Sequence, residues 1–282
     1  MKKLVLFTFV ILMAFGSQAQ EVLDGMFIKE TAPTRRVVPY THIREADVMY
    51  YKRVWRVIDL REKINHPLYY PIQPIKEIGY ERTSLFDLIK KAVEEGTITA
   101  YEDEGGGGQF KTPLTKSEAV NKLSEEKTEF AIDPATGLEI ETSYNEEINA
   151  AEVTAYWIKE DWVFDRERSV MEARILAMMP IITKLNTQTD QEETKGLFWI
   201  YFPEARYVFA NQEVYNPLND GSRLTFEDLF RKRVFSSYIY RETNVYDNRM
   251  LDSYRKDGID RLLEARKVEQ EIINFEHDQW QY

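Results

Sequence analysis

Val153-Thr-Ala-Tyr-Trp-Ile-Lys-Glu-Asp-Trp162-Val-Phe164 is the densest strand signal in this chain, and it carries Trp157 and Trp162. Branched and aromatic side chains of this kind suit a pleated, half-buried surface. On its N-terminal side, residues 130–141 read as a hairpin, two short alternating strands around the turn Asp133-Pro-Ala-Thr-Gly137. On its C-terminal side, 166–179 reads as a helix stopped before Pro180, followed by strands at 196–202 and 206–210.

Further out, 50–60 turns apolar and aromatic and reads as a strand or short helix entering the folded body. The clearest helix starts at Thr83 or Ser84, with Asp87 in its first turn and Leu85, Leu88, Ile89, Ala92 and Val93 on one face. Gly96 ends it, and 97–101 follows as a strand. The acidic, glycine-rich run Glu102-Asp-Glu-Gly105-Gly-Gly-Gly108 is expected to be a solvent-exposed loop or a join between sub-regions, because four glycines lose much entropy on ordering. A short amphipathic helix is expected at 116–127, with Ala119, Val120 and Leu123 inward. Thr225 caps another, with Phe226, Leu229, Phe230 and Val234 inward. The last helix, 259–280, is strongly charged, and its apolar stripe (Ile259, Leu262, Leu263, then Ile272, Ile273, Phe275) drifts around the axis. Such a stripe can pack on its own domain or on a neighbour. Asp87-Leu-Ile-Lys-Lys-Ala-Val93 echoes Asp228-Leu-Phe-Arg-Lys-Arg-Val234, but the surrounding intervals differ and convergent helix starts explain the echo.

The expected fold class is α+β: short mixed strands with segregated amphipathic helices in one compact body with an extended N-terminal arm. Residues 1–19 read as a signal peptide, with Lys2-Lys3, an apolar run of about a dozen residues and the small-x-small exit Ser17-Gln-Ala19. Residues 20–48, with Pro33 and Pro39 and no helical stripe, form the arm, which either stays mobile or lies along another surface. Residues 49–282 form the body and include the C-terminal helix. The expected place is the periplasm.

The chain has no cysteine, which excludes a lipoprotein anchor, disulfides and thiol chemistry. No later run is long enough to span a bilayer, which takes roughly 20 apolar residues. The formal charge of -11, which becomes -13 without Lys2 and Lys3, argues against nucleic acid as a partner. With 13% aromatic and 30% charged residues, the composition suits half-wet protein interfaces.

Catalytic signatures fail in turn. His42, His66 and His277 lie far apart, and none sits in H-E-x-x-H. The run Gly108-Gln-Phe-Lys-Thr112 puts Phe110 where a phosphate loop needs glycine. An EF-hand register on Gly258 would put Arg255 at a calcium ligand position. The acidic pairs Glu94-Glu95, Glu125-Glu126, Glu146-Glu147 and Glu192-Glu193 are ordinary solvated faces in a chain with 48 acidic residues. No catalytic, cofactor-binding or metal-binding residue is assigned. The competing readings are a periplasmic carbohydrate- or peptide-binding module and a hydrolase using an acid pair.

Three stretches, Tyr156-Trp-Ile-Lys-Glu-Asp-Trp-Val-Phe-Asp-Arg-Glu-Arg168, Asp133-Pro-Ala-Thr-Gly137 and Leu224-Thr-Phe-Glu-Asp-Leu-Phe230, together resemble the GldN/PorN gliding motility family. The tryptophan-rich stretch is the most distinctive, and the resemblance spans nearly the whole mature chain. It implies a soluble periplasmic component of the type IX secretion system of Bacteroidetes. Such a component is expected to form a ring with an outer-membrane lipoprotein, GldK/PorK, and to meet the periplasmic part of the motor protein GldM/PorM. The family carries no catalytic residues to transfer. The absent cysteine agrees with this subunit rather than with its lipoprotein partner.

Overall fold

The computed structural model describes residues 35–279 apart from 78–79, 106, 133–138, 187–190 and 220. The expected signal peptide, most of the arm and the Asp133–Gly137 turn therefore lie outside the described residues. In chain order the first elements are β1 (Val48–Asp59), α1 (His66–Tyr69), β2 (Ile75–Glu77), β3 (Tyr80–Arg82), α2 (Leu85–Glu95) and β4 (Ala100–Tyr101). Then come α3 (Lys116–Lys122), β5 (Ser124–Ile132), β6 (Glu139–Glu147), β7 (Val153–Asp165), β8 (Val170–Asn186), β9 (Gln191–Gly196) and β10 (Trp199–Tyr201). The chain closes with α4 (Phe202–Phe209), β11 (Glu213–Val214), β12 (Leu224–Thr225), α5 (Phe226–Arg231), β13 (Tyr238–Glu242), α6 (Leu251–Tyr254) and α7 (Gly258–Asp278).

The fold is α+β, built on one antiparallel sheet in the order β13-β1-β7-β8-β10-β4, with β9 also pairing β8. Its centre is the long antiparallel trio β1-β7-β8, paired from Val48↔Asp165 to Asp59↔Ala155 and from Asp165↔Val170 to Val153↔Ile182, with a few register shifts. A small sheet, β12-β11-β3-β2, and the separate hairpin β5-β6 complete the strands.

Side chains alternate across the sheet. One face presents Ile58, Tyr156, Ile158, Ile175 and Met178 to α2, α4 and α5, forming the largest buried cluster. α2 forms as its stripe predicts: the Ser84 hydroxyl accepts from the Asp87 N–H, and Gly96 closes the helix in the left-handed region (φ +81°). In α4, Phe202, Ala205 and Phe209 point into the same core. At the other end of this face, Ala265, Val268 and Ile272 of α7 cover Val54, Ile239 and Leu251. Phe275 stacks on Tyr50 at 4.3 Å. The opposite face carries a second aromatic cluster of Trp55, Ala177, Met179, Ile181 and Trp199.

Several expectations are corrected. Residues 166–179 are not a helix; from Val170 they form β8. Met, Glu, Ala and Leu favour helix locally, but pairing with β7 along the whole strand outweighs that weak preference. Residues 206–210 are not a strand, since Arg206 to Phe209 belong to α4, which has Pro203 in its first turn. The helix expected at 116–127 stops at Lys122 because Ser124 already pairs in β5, and Val120 is exposed. Val234 is likewise exposed, because α5 ends at Arg231 and Arg233 has φ +54°. The glycine run is solvent-exposed only in part: Glu104 and Gly105 are exposed as expected, but its end is not. Gly107 and Gly108 are buried against the sheet.

Candidate interaction surfaces

Four places in this fold concentrate chemistry. The first is a buried charge cluster on the helix-covered face. Glu160 is fully buried in the middle of β7. Arg233 reaches its carboxylate with both terminal nitrogens, at 3.0 and 3.1 Å. Trp162 Nε1 donates to it at 3.3 Å, and Arg56 Nε lies 3.5 Å away. Arg56 also donates to Glu269 of α7 at 2.8 Å. This network ties the central strand to the segment after α5 and to the terminal helix. Two guanidiniums compensate the charge of this buried carboxylate within the fold.

The second lies on the other face, where the glycine run folds down onto the tryptophans. Trp55 Nε1 donates to the Gly107 carbonyl at 3.3 Å, and Lys159 Nζ to the Gly108 carbonyl at 2.9 Å. Trp199 Nε1 donates to Asp103 at 2.8 Å. Gly108 has φ +56°, and a Cβ there would meet the Trp199 ring at 3.2 Å, so both backbone and space require glycine. Burial pulls the Lys159 ammonium down to about 8, and Arg53 adds to the effect. The lysine is closed under the loop, where it anchors main chain.

The third is a strap. Residues 35–44 run without helix or strand. Arg206 donates to the Val38 carbonyl at 2.8 Å, and Arg174 to the Thr41 carbonyl at 2.7 Å. The Tyr40 ring lies 4.1 Å from the Arg206 guanidinium and 5.1 Å from that of Arg174. Burial raises the Tyr40 hydroxyl above its ordinary value. Arg35 pairs with Asp228, the residue that also closes the N-terminal cap of α5 on Thr225. The pocket under the strap is about 390 Å³.

The fourth is an open groove of about 830 Å³ between the tryptophan face of the sheet and the start of α7, lined by Val57, Trp157, Ile181, Tyr238 and Leu262. Beside it Ile259, Leu262 and Leu263 stand exposed. The drifting stripe of α7 thus divides: Ile272 and Phe275 pack on its own sheet, while Ile259, Leu262, Leu263 and Ile273 are exposed.

The candidates examined for chemistry are scattered. His42 and His277 are exposed, and His66 packs edge-on against Tyr70. Glu147 pairs with Lys90 at 2.6 Å, Glu94 and Glu95 lie on α2, and Glu146 and Glu193 are exposed. The side chains of Glu125, Glu126 and Glu192 lie outside the described ones. Among the described residues, no three acidic or histidine side chains gather as a metal site. No helix among them is long and apolar enough to cross a membrane. Sequence reasoning missed Arg56, Glu160, Arg174, Arg206 and Arg233. The available signal was the run Lys159-Glu-Asp161 inside an otherwise apolar strand, since charges there must find partners.

Among curated proteins, none matches this chain. The family model described as gliding motility associated protein GldN matches residues 43–281, and the chain belongs to that family.

Proposed function

We propose that this chain is a non-catalytic structural subunit of the type IX protein secretion and gliding motility machinery, residing in the periplasm after removal of residues 1–19. In this reading it forms a ring-like complex with an outer-membrane lipoprotein of the GldK/PorK kind and contacts the periplasmic part of a GldM/PorM-like motor protein. The observation that carries the reading is the family match across 43–281, because that family is a gliding motility and type IX secretion component. The surfaces support it. The buried carboxylates Glu160 and Glu227, paired with Arg233 and Arg206, join elements of the fold to one another. The outward residues of α7 and the adjoining groove offer apolar area of the kind protein contacts bury.

The test is complementation. Cells lacking the chain are expected to lose delivery of extracellular cargo, and the wild-type chain restores it. A variant with Glu94, Glu95, Glu146, Glu147 and Glu193 all changed to glutamine is expected to restore it equally. A variant that is made at normal level and folds, yet restores nothing, would move the assignment to acid-pair chemistry.

A further inference from the structure

The strap groove is built independently of the strap. Its two central guanidiniums are already placed by body residues, Arg206 by Glu227 at 2.7 Å and Arg174 by Glu172 at 3.0 Å. The Arg206 and Glu227 side chains are almost wholly buried. The strap itself is held lightly. Among the described residues, no backbone-to-backbone hydrogen bond joins 35–43 to the body. Its carbonyls instead accept from Arg206 and Arg174, the Tyr40 ring sits against both guanidiniums, and Arg35 reaches Asp228 and the Arg223 carbonyl. Every one of these contacts is made to a side chain or carbonyl that any copy of residues 35–41 could meet. The connection to β1, residues 42–47, is exposed or half-exposed throughout, so it can straighten without uncovering core. Backbone pairing fixes the body end of that connection, with the Arg166 N–H donating to the Asp47 carbonyl at 2.8 Å.

We propose that this groove is a joint between copies of the chain: residues 35–41 of one copy seat in the groove of the next. The proposal rests on the structural-subunit reading and supplies it with a contact. Exchange of an identical segment loses no contact, which makes it a low-cost route to association. Reciprocal exchange would close a two-fold dimer, whereas the one-way exchange proposed here is heterologous and repeats head to tail, closing a ring where the rotation allows. In an isolated chain, the effective concentration of its own strap favours self-occupancy. In a crowded assembly the neighbour competes on equal terms.

The absence of cysteine makes the test clean. Two differently tagged copies are co-expressed in the cells that make the protein, one carrying Val38→Cys and the other Arg231→Cys. Both positions are exposed and line the pocket under the strap. A short bismaleimide is applied to the isolated envelope. The expected product carries both tags, and its yield falls by about tenfold when the Val38→Cys copy also carries Tyr40→Ala, the loss of two cation–π contacts. A Val38→Cys/Arg231→Cys double variant reports occupancy within one chain. If that variant cross-links to itself while no product carries both tags, although each tag still captures the other, the exchange is wrong and the structural reading stands. If neither tag captures the other, the copies do not assemble, and the exchange falls along with the reading beneath it.

Discussion

Arg233 holds the carboxylate of Glu160 through two parallel hydrogen bonds, from a residue in the left-handed region just past the end of α5 to the centre of the central strand. The same carboxylate takes Trp162 Nε1, and the Arg233 guanidinium lies 5.2 Å from the Trp162 ring. The turn after α5, the strand and its tryptophan are therefore fixed together by one buried charge.

Glu160→Ala is expected to destabilise the protein by about 3–5 kcal/mol, because it leaves Arg56 and Arg233 without their shared anion. Arg44→Ala, which removes an exposed pair with Asp47, is the control and should leave the unfolding midpoint where it is. Urea unfolding of the three proteins checks this. Equal midpoints would show that the buried cluster contributes nothing to the fold.

Gly108→Ala and Gly105→Ala separate two reasons for the glycine run. Both residues have positive φ, so each alanine meets a backbone penalty of about 1–2 kcal/mol. Only at Gly108 does the new Cβ press on Trp199 and Ala177, at 3.2 and 3.3 Å. Gly108→Ala should therefore be the more damaging and should alter tryptophan fluorescence, whereas Gly105→Ala should not. The reverse order would mean that the loop does not pack as described.

Lys159 gives a pH signature. Its folded-state value near 8 lies below the roughly 10.4 of an unfolded lysine. Between these values the unfolded chain binds a proton that the folded chain has lost, so this residue's contribution to stability rises with pH across that window. Below it the buried charge weighs fully against the fold. Lys159→Met should thus look most favourable relative to the parent at pH 7 and lose ground steadily toward pH 10. Denaturation series on both proteins, compared at each pH, would read this difference. A gap that stays constant with pH would contradict it.

The strap can be loosened without harming the body. Tyr40→Ala removes a ring that sits against the Arg206 and Arg174 guanidiniums, so trypsin should cut after Arg35 and Arg36 faster while the unfolding midpoint stays put. Arg206→Ala should instead lower the midpoint as well, since it leaves Glu227 buried and unpaired. Identical cutting rates in the parent and Tyr40→Ala would mean that the ring does not hold the strap.

Much of the architecture was legible because local and global signals agreed. The stripe and caps of α2, the cap of α5 on Thr225 and the long strand β7 all appear where their patterns placed them. β8 was misread because its methionines, alanines and glutamates favour helix, and only the partner strand overrides that. α4 was misread because Tyr207-Val-Phe209 looks like strand, while the deciding spacing of Phe202, Ala205 and Phe209 spans eight residues. The partners of the buried charges were not legible for a different reason. Arg56, Glu160 and Arg233 are far apart in sequence, and no local pattern shows that three such residues converge. The glycine run misled because an entropy argument predicts exposure, while the tryptophans it packs against lie about 50 and 90 residues away.

The central claim is that the chain acts through contacts. Its most direct test is a mild-detergent pull-down of the tagged protein from its native envelope, with mass spectrometry of the eluate and negative-stain imaging of the particles. The account predicts recovery of an outer-membrane lipoprotein in ring-shaped particles. A clean monomer without partners, from protein that is folded and abundant, would contradict it.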